Sequence, residues 1–136
     1  MGVGIKVGSV ISEVGAPSFL HCFFSTISYH LEPGGWGSRF PLLMNDLYEG
    51  ELTANKVLEA LSDIATIRAE LGSISPAGVV WDINDLNAKP PWGSDISPHI
   101  TSLANYFVTS TGRDLFEMLV ECLQFANEKG YSVSVT

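Results

Sequence analysis

The stretch that decides the fold is Pro17-Ser18-Phe19-Leu20-His21-Cys22-Phe23-Phe24-Ser25-Thr26-Ile27-Ser28-Tyr29-His30-Leu31. Proline is favoured in the first turn of a helix, and Pro17 stands at the start of this stretch. Its apolar side chains recur at the spacing of one helical face: Phe19, Leu20, Phe23, Phe24, Ile27 and Leu31. The breaker Glu32-Pro33-Gly34-Gly35 follows at once. We therefore predict a helix over residues 17–31 at the centre of the hydrophobic core.

Two other long segments have helical periodicity. One is predicted to begin at Thr53, a capping residue, and to end at Leu71 before Gly72. Its predicted buried stripe is Val57, Leu58, Leu61, Ile64, Ile67 and Leu71. The other follows the capping-box pattern Thr111-Gly112-Arg113-Asp114 and runs to about Lys129, where Gly130 ends it. Its predicted inward residues are Leu115, Phe116, Leu119, Val120, Leu123 and Ala126. The short apolar segment 41–48 is also predicted to be helical, with a turn at residues 49–51.

Period-two alternation predicts the strands. Residues 3–11 place Val3, Ile5, Val7 and Ile11 on one face and Gly4, Lys6 and Gly8 on the other. Residues 79–83 and 106–109 are apolar runs typical of strands, and residues 131–135 alternate again at the end of the chain. If the last two strands share a sheet, the helix between them forms a right-handed crossover. The prediction is an α+β single domain over residues 1–136, with a small sheet of about four strands covered by three to four helices.

Length and composition limit the classes of function. A chain of 136 residues with 46% hydrophobic residues can bury one core of ordinary size. Its formal net charge of −8 argues against binding of nucleic acid or an anionic membrane surface, and it suits a basic protein partner or simply solubility. No run is long enough to span a membrane, and no signal peptide is recognisable. Cys22 and Cys122 fall within apolar helical patterns and are interpreted as reduced core residues, so we expect a cytoplasmic protein.

No motif for catalysis, cofactor binding or metal binding is found, and none of these three kinds of site is predicted. His21 and Cys22 are neighbours, but adjacent residues on a helix point about 100° apart and do not easily form a catalytic pair. Asp82, Asn84 and Asp85 begin like a calcium loop, but the pattern then fails. The residues that break it are Leu86, Asn87 and Gly93, which stand where an oxygen ligand, a glycine and a bidentate acid belong.

The irregular region after residue 83 is the predicted interaction surface. Fifteen residues without secondary structure are unusual in a compact domain and often functional. From Asp82 to Asp95 this segment holds three acids and one lysine, and Trp92 offers a large aromatic anchor. The predicted partner-binding residues are Asp82, Asp85, Trp92, Asp95, Trp36, Glu49 and Glu51. The alternative is that Trp92 and Trp36 seal their own loops; Trp81 is interpreted as a core residue.

Several motifs together resemble the immunity protein 70 family of bacterial polymorphic toxin systems. They are Gly15-Ala16-Pro17-Ser18-Phe19-Leu20-His21, Gly35-Trp36-Gly37-Ser38-Arg39-Phe40-Pro41, Val80-Trp81-Asp82-Ile83, Pro90-Pro91-Trp92-Gly93 and Tyr106-Phe107-Val108-Thr109-Ser110. The resemblance covers nearly the whole chain. It implies a cytoplasmic antidote that binds a cognate toxin domain and blocks it, and it transfers no catalytic residue.

The resemblance leaves the toxin open. A nuclease is favoured because an acidic inhibitor would be steered electrostatically to a basic substrate cleft. Two other classes compete: a small-molecule enzyme using His21, Asp82 or Arg39, and a structural protein that forms a homodimer. A toxin gene directly upstream would favour the immunity hypothesis, and co-expression with that toxin would test it.

Overall fold

The computed structural model describes residues 2–93 and 96–136. Within these residues, four strands form one antiparallel sheet in the order β2-β1-β4-β3. The strands are β1 (Val3–Val7), β2 (Val10–Gly15), β3 (Glu51–Leu52) and β4 (Val133–Val135). The long helices are α1 (Pro17–Leu31), α2 (Val57–Leu71) and α3 (Leu115–Lys129). Short helical turns lie at Leu42–Leu47, Ala54–Lys56 and Pro76–Gly78. The predicted α+β class and the approximate strand and helix numbers are confirmed.

Helix α1 lies at the centre of the core, as predicted. Its Phe23 is fully buried and meets Phe24, Phe107 and Phe116 edge-on, with ring centroids 5.1–5.2 Å apart. Edge-to-face packing of this kind adds to the hydrophobic gain of burying each ring. The core around α1 therefore contains one aromatic cluster, formed by α1, the segment at Phe107 and α3.

Residues 3–11 do not form one strand, so that prediction is wrong. Gly8 adopts a left-handed conformation, with φ +60°, and a two-residue turn folds the chain into a β1–β2 hairpin. Val10 then pairs with Val7, and Ile11 pairs with Lys6. Ile11 consequently lies on the opposite face from Val7 and is 57% exposed. The turn interrupts an alternation that looks continuous in the sequence.

The predicted strand at residues 79–83 is also wrong, because hydroxyl groups of α1 take the place of a neighbouring strand. The Thr26 hydroxyl accepts a hydrogen bond from Val80 N at 3.0 Å and lies 3.2 Å from Val80 O, while Ser25 Oγ accepts from Ile83 N at 3.1 Å. The backbone is satisfied without a β-ladder.

Residues 106–109 form only an isolated bridge, between Val108 and Asp114. The predicted strand at 106–109 is therefore wrong, and the condition for a crossover to the last strand is not met because residues 106–109 lie outside the sheet. β4, predicted within residues 131–135, is present, but it runs antiparallel between β1 and β3. The turn predicted at residues 49–51 is shorter than expected, since Glu51 already belongs to β3.

The two other long helices end at the predicted C-terminal residues, but they begin at other residues than predicted. Thr53 gives no side-chain cap, and α2 begins at Val57 after a 3₁₀ turn. In α3 the cap is Asp114, whose carboxylate accepts the Glu117 N–H at 3.2 Å, so the Thr111 capping box is wrong. Gly130 ends α3 in the left-handed conformation, with φ +74°.

Helical periodicity predicts most of the buried residues of α2 and α3, with errors on both helices. On α2, Leu58 is 65% exposed, Leu61 is half-buried and Ala60 takes a buried position, so the predicted stripe is rotated. On α3, Val120 is only half-buried, and Met118 joins the core. The segment 41–48 is helical as predicted, with the wider turns of a π-helix at Leu42–Leu47.

Cys22 and Cys122 are both buried and unpaired, as predicted. Burial raises the pKa of the Cys22 thiol to about 12, although a hydrogen bond with Thr26 partly opposes the shift. Neither group is poised to react as a thiolate.

Candidate functional site

An open pocket of about 670 Å³ lies between α1, the loop that follows it, residues 48–49 after the π-helix and the start of the irregular segment. Its lining is His21, Ser28, Tyr29, Glu32, Pro33, Gly35, Trp36, Tyr48, Glu49, Ile83 and Asn84. Aromatic rings and acids predominate among these side chains, and lysine and arginine do not occur in this set. This pocket is the candidate functional site.

Glu32 builds the wall of the pocket by fixing the loop after α1. Its side chain is only 3% exposed, yet both carboxylate oxygens are occupied by backbone donors. Oε1 accepts the Gly37 N–H at 3.0 Å, and Oε2 accepts those of Arg39 at 3.1 Å and Phe40 at 3.0 Å. Hydrogen bonds to a charged acceptor are stronger than neutral ones, so this single residue holds residues 33–40 in shape.

Trp36 is held at the pocket by that loop. Its indole N–H donates to Met44 O at 3.1 Å, which ties the ring to the π-helix. The ring lies nearly parallel to His21, at 6.1 Å between centroids, and 5.9 Å from Tyr48. Tyr48 in turn stacks on Phe24 of the core at 4.4 Å. The aromatic surface of the pocket is therefore continuous with the aromatic cluster of the core.

His21 joins α1 to the irregular segment. Its Nδ1 lies 3.2 Å from the Tyr48 hydroxyl and its Nε2 lies 3.2 Å from Asp82 Oδ1. Asp82 Oδ1 also accepts the Asn84 N–H at 2.9 Å. This backbone bond, and secondly His21, lower the pKa of Asp82 below its ordinary value, so the carboxyl group is charged at neutral pH.

The Tyr48 hydroxyl is protonated at neutral pH. Burial, and secondly the adjacent Glu49, raise its pKa above the ordinary value. Both ring nitrogens of His21 have partners within the protein, the Tyr48 hydroxyl at Nδ1 and Asp82 at Nε2. The Tyr48 hydroxyl and Asp82 thereby fix the orientation of the His21 ring between α1 and the irregular segment.

The pocket has an acidic rim. Glu49 is exposed on it, and Asp82 lies directly behind His21. Arg39, on the loop that Glu32 holds, is engaged by both carboxylate oxygens of Glu70 on α2. This pairing raises the pKa of Arg39 and lowers that of Glu70, each mainly through the hydrogen bonds between them.

Three of the predicted partner-binding residues come together at this site. Trp36 and Glu49 line the pocket, and Asp82 contacts its His21 wall. Asp85 is exposed one turn further along, where its Oδ1 accepts the Asn87 N–H at 3.2 Å. The segment around these two aspartates is irregular, as the sequence predicts.

The remaining predicted residues are not part of the pocket lining. Trp92 is 39% exposed, and its indole N–H donates to the Tyr106 hydroxyl. The ring packs edge-on against Trp81 at 5.4 Å, and Trp81 is half-buried against the core. Glu51 lies on β3, where its carboxylate accepts the Ser132 hydroxyl at 3.2 Å. Asp95 lies outside the described residues.

Sequence reasoning missed the contribution of α1 to the pocket. The helix contributes His21, Ser28 and Tyr29 to the lining, and Glu32 follows directly after it. Positions 21 and 28 are seven residues apart, about two helical turns, so they lie on the same side of α1. The signal was the polar and aromatic content of that side. It was hidden because the apolar stripe of α1 explained the helix on its own.

Within residues 2–93 and 96–136, no helix is long and apolar enough to cross a membrane. The same residues contain no group of three or more His, Cys, Asp or Glu side chains arranged to hold a metal ion.

Comparison with known proteins gives one match. The sequence model of a family described as immunity protein 70 matches residues 5–135, nearly the whole chain. No curated protein and no solved structure matches.

Proposed function

The chain belongs to the immunity protein 70 family, and we propose from this premise that it neutralises a cognate toxin domain by binding it through the pocket face. We define the pocket face as Trp36, Glu49, Asp82 and Asp85 with the pocket between them. The observation that carries the proposal is the meeting of Trp36 with the acids of the rim. An aromatic anchor surrounded by charge is a typical energetic centre of a protein interface.

Charge indicates the kind of toxin. With a net charge of −8 and an acidic pocket face, the chain would be attracted to a strongly basic surface. A nuclease needs such a surface to hold phosphates, so a nuclease domain is the toxin class that fits best. We propose that the cytoplasm, where such a toxin meets its substrate, is the site of action.

The proposed mechanism is occlusion without chemistry, carried out by residues 1–136 as one domain. Immunity proteins are generally not enzymes. The competing proposal is an enzyme using His21, Asp82 or Arg39; the engagement of the Arg39 guanidinium by Glu70 opposes a catalytic role for Arg39. Glu51, Trp92 and Asp95 remain proposed partner-binding residues beyond the pocket face, on sequence grounds.

Co-expression with the toxin encoded beside this gene tests the function. The unaltered chain should restore growth, and the double variant Glu49→Lys with Asp85→Lys should restore it poorly. The matched control is Glu59→Lys with Glu128→Lys, which changes two other exposed acids and should still protect. Failure of the unaltered chain to protect would overturn the proposed function. Equal protection by both double variants would move the interface away from the pocket face.

Stoichiometry separates an inhibitor from an enzyme. Toxin activity titrated with the purified chain should reach zero at about one equivalent, because occlusion consumes one molecule per toxin. Complete inactivation by a small fraction of an equivalent would contradict occlusion and support an enzyme. Analytical ultracentrifugation of the chain alone tests the remaining alternative, a homodimer that covers the pocket face.

A further inference from the structure

We propose that the pocket beside Trp36 accepts an arginine side chain from a surface loop of the partner. The identity of that partner as a toxin rests on the proposed function, whereas the aromatic walls, the distribution of negative charge and the open entrance are properties of the pocket itself.

The walls of the pocket are rings that can hold a cation. The centroids of Trp36, His21 and Tyr48 lie 5.9–6.3 Å from one another, so the three rings form a triangle on one side of the pocket. Tyr29, 52% exposed, adds a ring at the rim. Tryptophan and tyrosine attract a cation over their faces, and a guanidinium group also stacks on them as a flat plate.

Of the three carboxylates at the pocket, one has both oxygens available for an entering guanidinium. Glu32 is buried, and its oxygens already accept three backbone N–H groups. Oδ1 of Asp82 carries the contacts of that side chain with both His21 and the Asn84 N–H, so Asp82 can offer only Oδ2 to a ligand. Glu49 is exposed on the rim, and no bond to a neighbouring side chain is found for it among the described residues. Glu49 is therefore the carboxylate that can form a two-pronged ion pair with an entering guanidinium.

The same charges exclude other ligands. A phosphate or carboxylate would enter a negative field that no lysine or arginine of the lining offsets. Lysine would satisfy the charge, but its ammonium group cannot stack flat and pair with both oxygens of Glu49 at once. Arginine is the side chain that uses both features of the pocket.

The size and entrance of the pocket fit a protruding loop. A volume of about 670 Å³ exceeds one side chain and leaves space for the flanking backbone. Gly35 has φ +106°, and a Cβ placed on it would meet nothing within 4 Å, so the entrance is open at that point. The arginine is therefore expected at the tip of a loop.

A short peptide tests this without the toxin. The probe is acetyl-Gly-Arg-Gly-amide, titrated into the ¹⁵N-labelled chain while the indole N–H signal of Trp36 is followed by NMR. The signal should shift and saturate with a dissociation constant of about 1–10 mM, which is ordinary for a ligand of this size. The peptide with citrulline in place of arginine has nearly the same shape without the charge, and it should leave the signal unmoved. Equal binding of the arginine and citrulline peptides would overturn the proposal. If the same peptide with lysine in place of arginine binds as tightly as the arginine peptide, the preference for arginine is overturned.

Matched variants locate the binding. Glu49→Gln and Trp36→Leu should each weaken binding of the arginine peptide about tenfold or more. Binding to Glu49→Gln is followed at the Trp36 indole signal, and binding to Trp36→Leu is followed at the Tyr29 amide signal. Glu128→Gln and Tyr131→Leu change an exposed acid and an exposed aromatic residue outside the pocket lining, and both variants should bind as the unaltered chain does. If Trp36→Leu lowers the melting temperature sharply, Glu49→Gln and Tyr29→Ser decide the matter, since both residues are exposed. Unchanged binding of the arginine peptide to both Glu49→Gln and Tyr29→Ser would overturn the proposal.

The two proposals fail differently. If the chain protects cells and Glu49→Gln binds the toxin as tightly as the unaltered chain, the arginine site is wrong and the immunity function stands. If the arginine peptide binds and no toxin is neutralised, the pocket chemistry stands and the proposed function is wrong.

Discussion

Nε2 of His21 on α1 lies 3.2 Å from Oδ1 of Asp82, which is 61 residues further along the chain. The opposite ring nitrogen lies 3.2 Å from the Tyr48 hydroxyl. One imidazole therefore connects the central helix, the end of the π-helical segment and the irregular segment. All three contribute residues to the pocket lining, together with the loop after α1, so the shape of the pocket depends on this connection.

The Asp82 carboxyl group should titrate below its ordinary value of 3.8, because the Asn84 N–H and then His21 favour its charged form. Carbon-detected NMR of the side-chain carboxyl group measures this directly. In the variant His21→Gln the pKa should rise only part of the way back, since the backbone bond to Asn84 remains. A pKa at or above 3.8 in the unaltered chain would contradict the geometry described here.

The same shift makes stability depend on pH with a definite sign. A carboxyl group whose pKa is lower in the folded state stabilises the fold above its ordinary pKa, and that stability is lost as pH falls through the folded value. The urea midpoint of the unaltered chain should therefore fall more between about pH 5 and about pH 2 than that of Asp82→Asn. Parallel profiles of the two proteins would show that Asp82 does not contribute.

Glu32→Gln should destabilise the fold by about 2 kcal/mol or more, because the amide replaces one of two charged acceptors with a donor facing backbone N–H groups. Urea unfolding followed by circular dichroism measures the loss. Glu128→Gln, on an exposed part of α3, is the control and should change stability by less than about 0.5 kcal/mol. A similarly small effect of Glu32→Gln would show that the carboxylate does not hold the loop 33–40.

Two leucine-sized positions on α2 should respond very differently to truncation. Ile64 is 1% exposed, and Ile64→Ala should cost about 2–5 kcal/mol through lost burial and the cavity left behind. Leu58→Ala should cost less than about 0.5 kcal/mol because that side chain is largely in solvent. Chemical denaturation of both variants tests which face of α2 meets the core. Equal losses would indicate that α2 is rotated relative to the described structure.

The two cysteines should resist alkylation while the protein is folded. With a pKa of about 12, Cys22 has almost no thiolate at pH 8, and its side chain is fully buried. Burial also raises the pKa of Cys122. Iodoacetamide labelling followed by mass spectrometry should modify both residues rapidly in denaturant and Cys22 extremely slowly without it. Fast modification of Cys22 in the folded protein would contradict its burial.

The errors in the predicted strands share one physical cause. A strand needs a partner, and nothing local in residues 79–83 reveals that the hydroxyl groups of Ser25 and Thr26 satisfy that backbone instead. Likewise, the alternation of residues 3–11 does not reveal that the chain reverses at Gly8. β-propensity mainly reflects packing against neighbours, and the neighbours were unknown.

The candidate site was predictable in part. Trp36, Glu49 and Asp82 were expected from their residue types and their place in loops, and the structure brings them to one pocket. Tyr29 and Tyr48 were missed because each lies in a segment whose apolar pattern already had an explanation. Trp92 and Glu51 were expected with the others, but neither lines the pocket.

The sequence by itself determined the position of α1, the C-terminal ends of α2 and α3, the negative charge and the family motifs. These properties depend on composition or on contacts within a few residues, such as apolar periodicity and a terminating glycine. Only the tertiary structure decided that Glu32 closes a loop and that His21 meets both Tyr48 and Asp82. Contacts across 27 and 61 residues depend on how separate elements pack. Packing is a property of the whole core and cannot be read from any single segment.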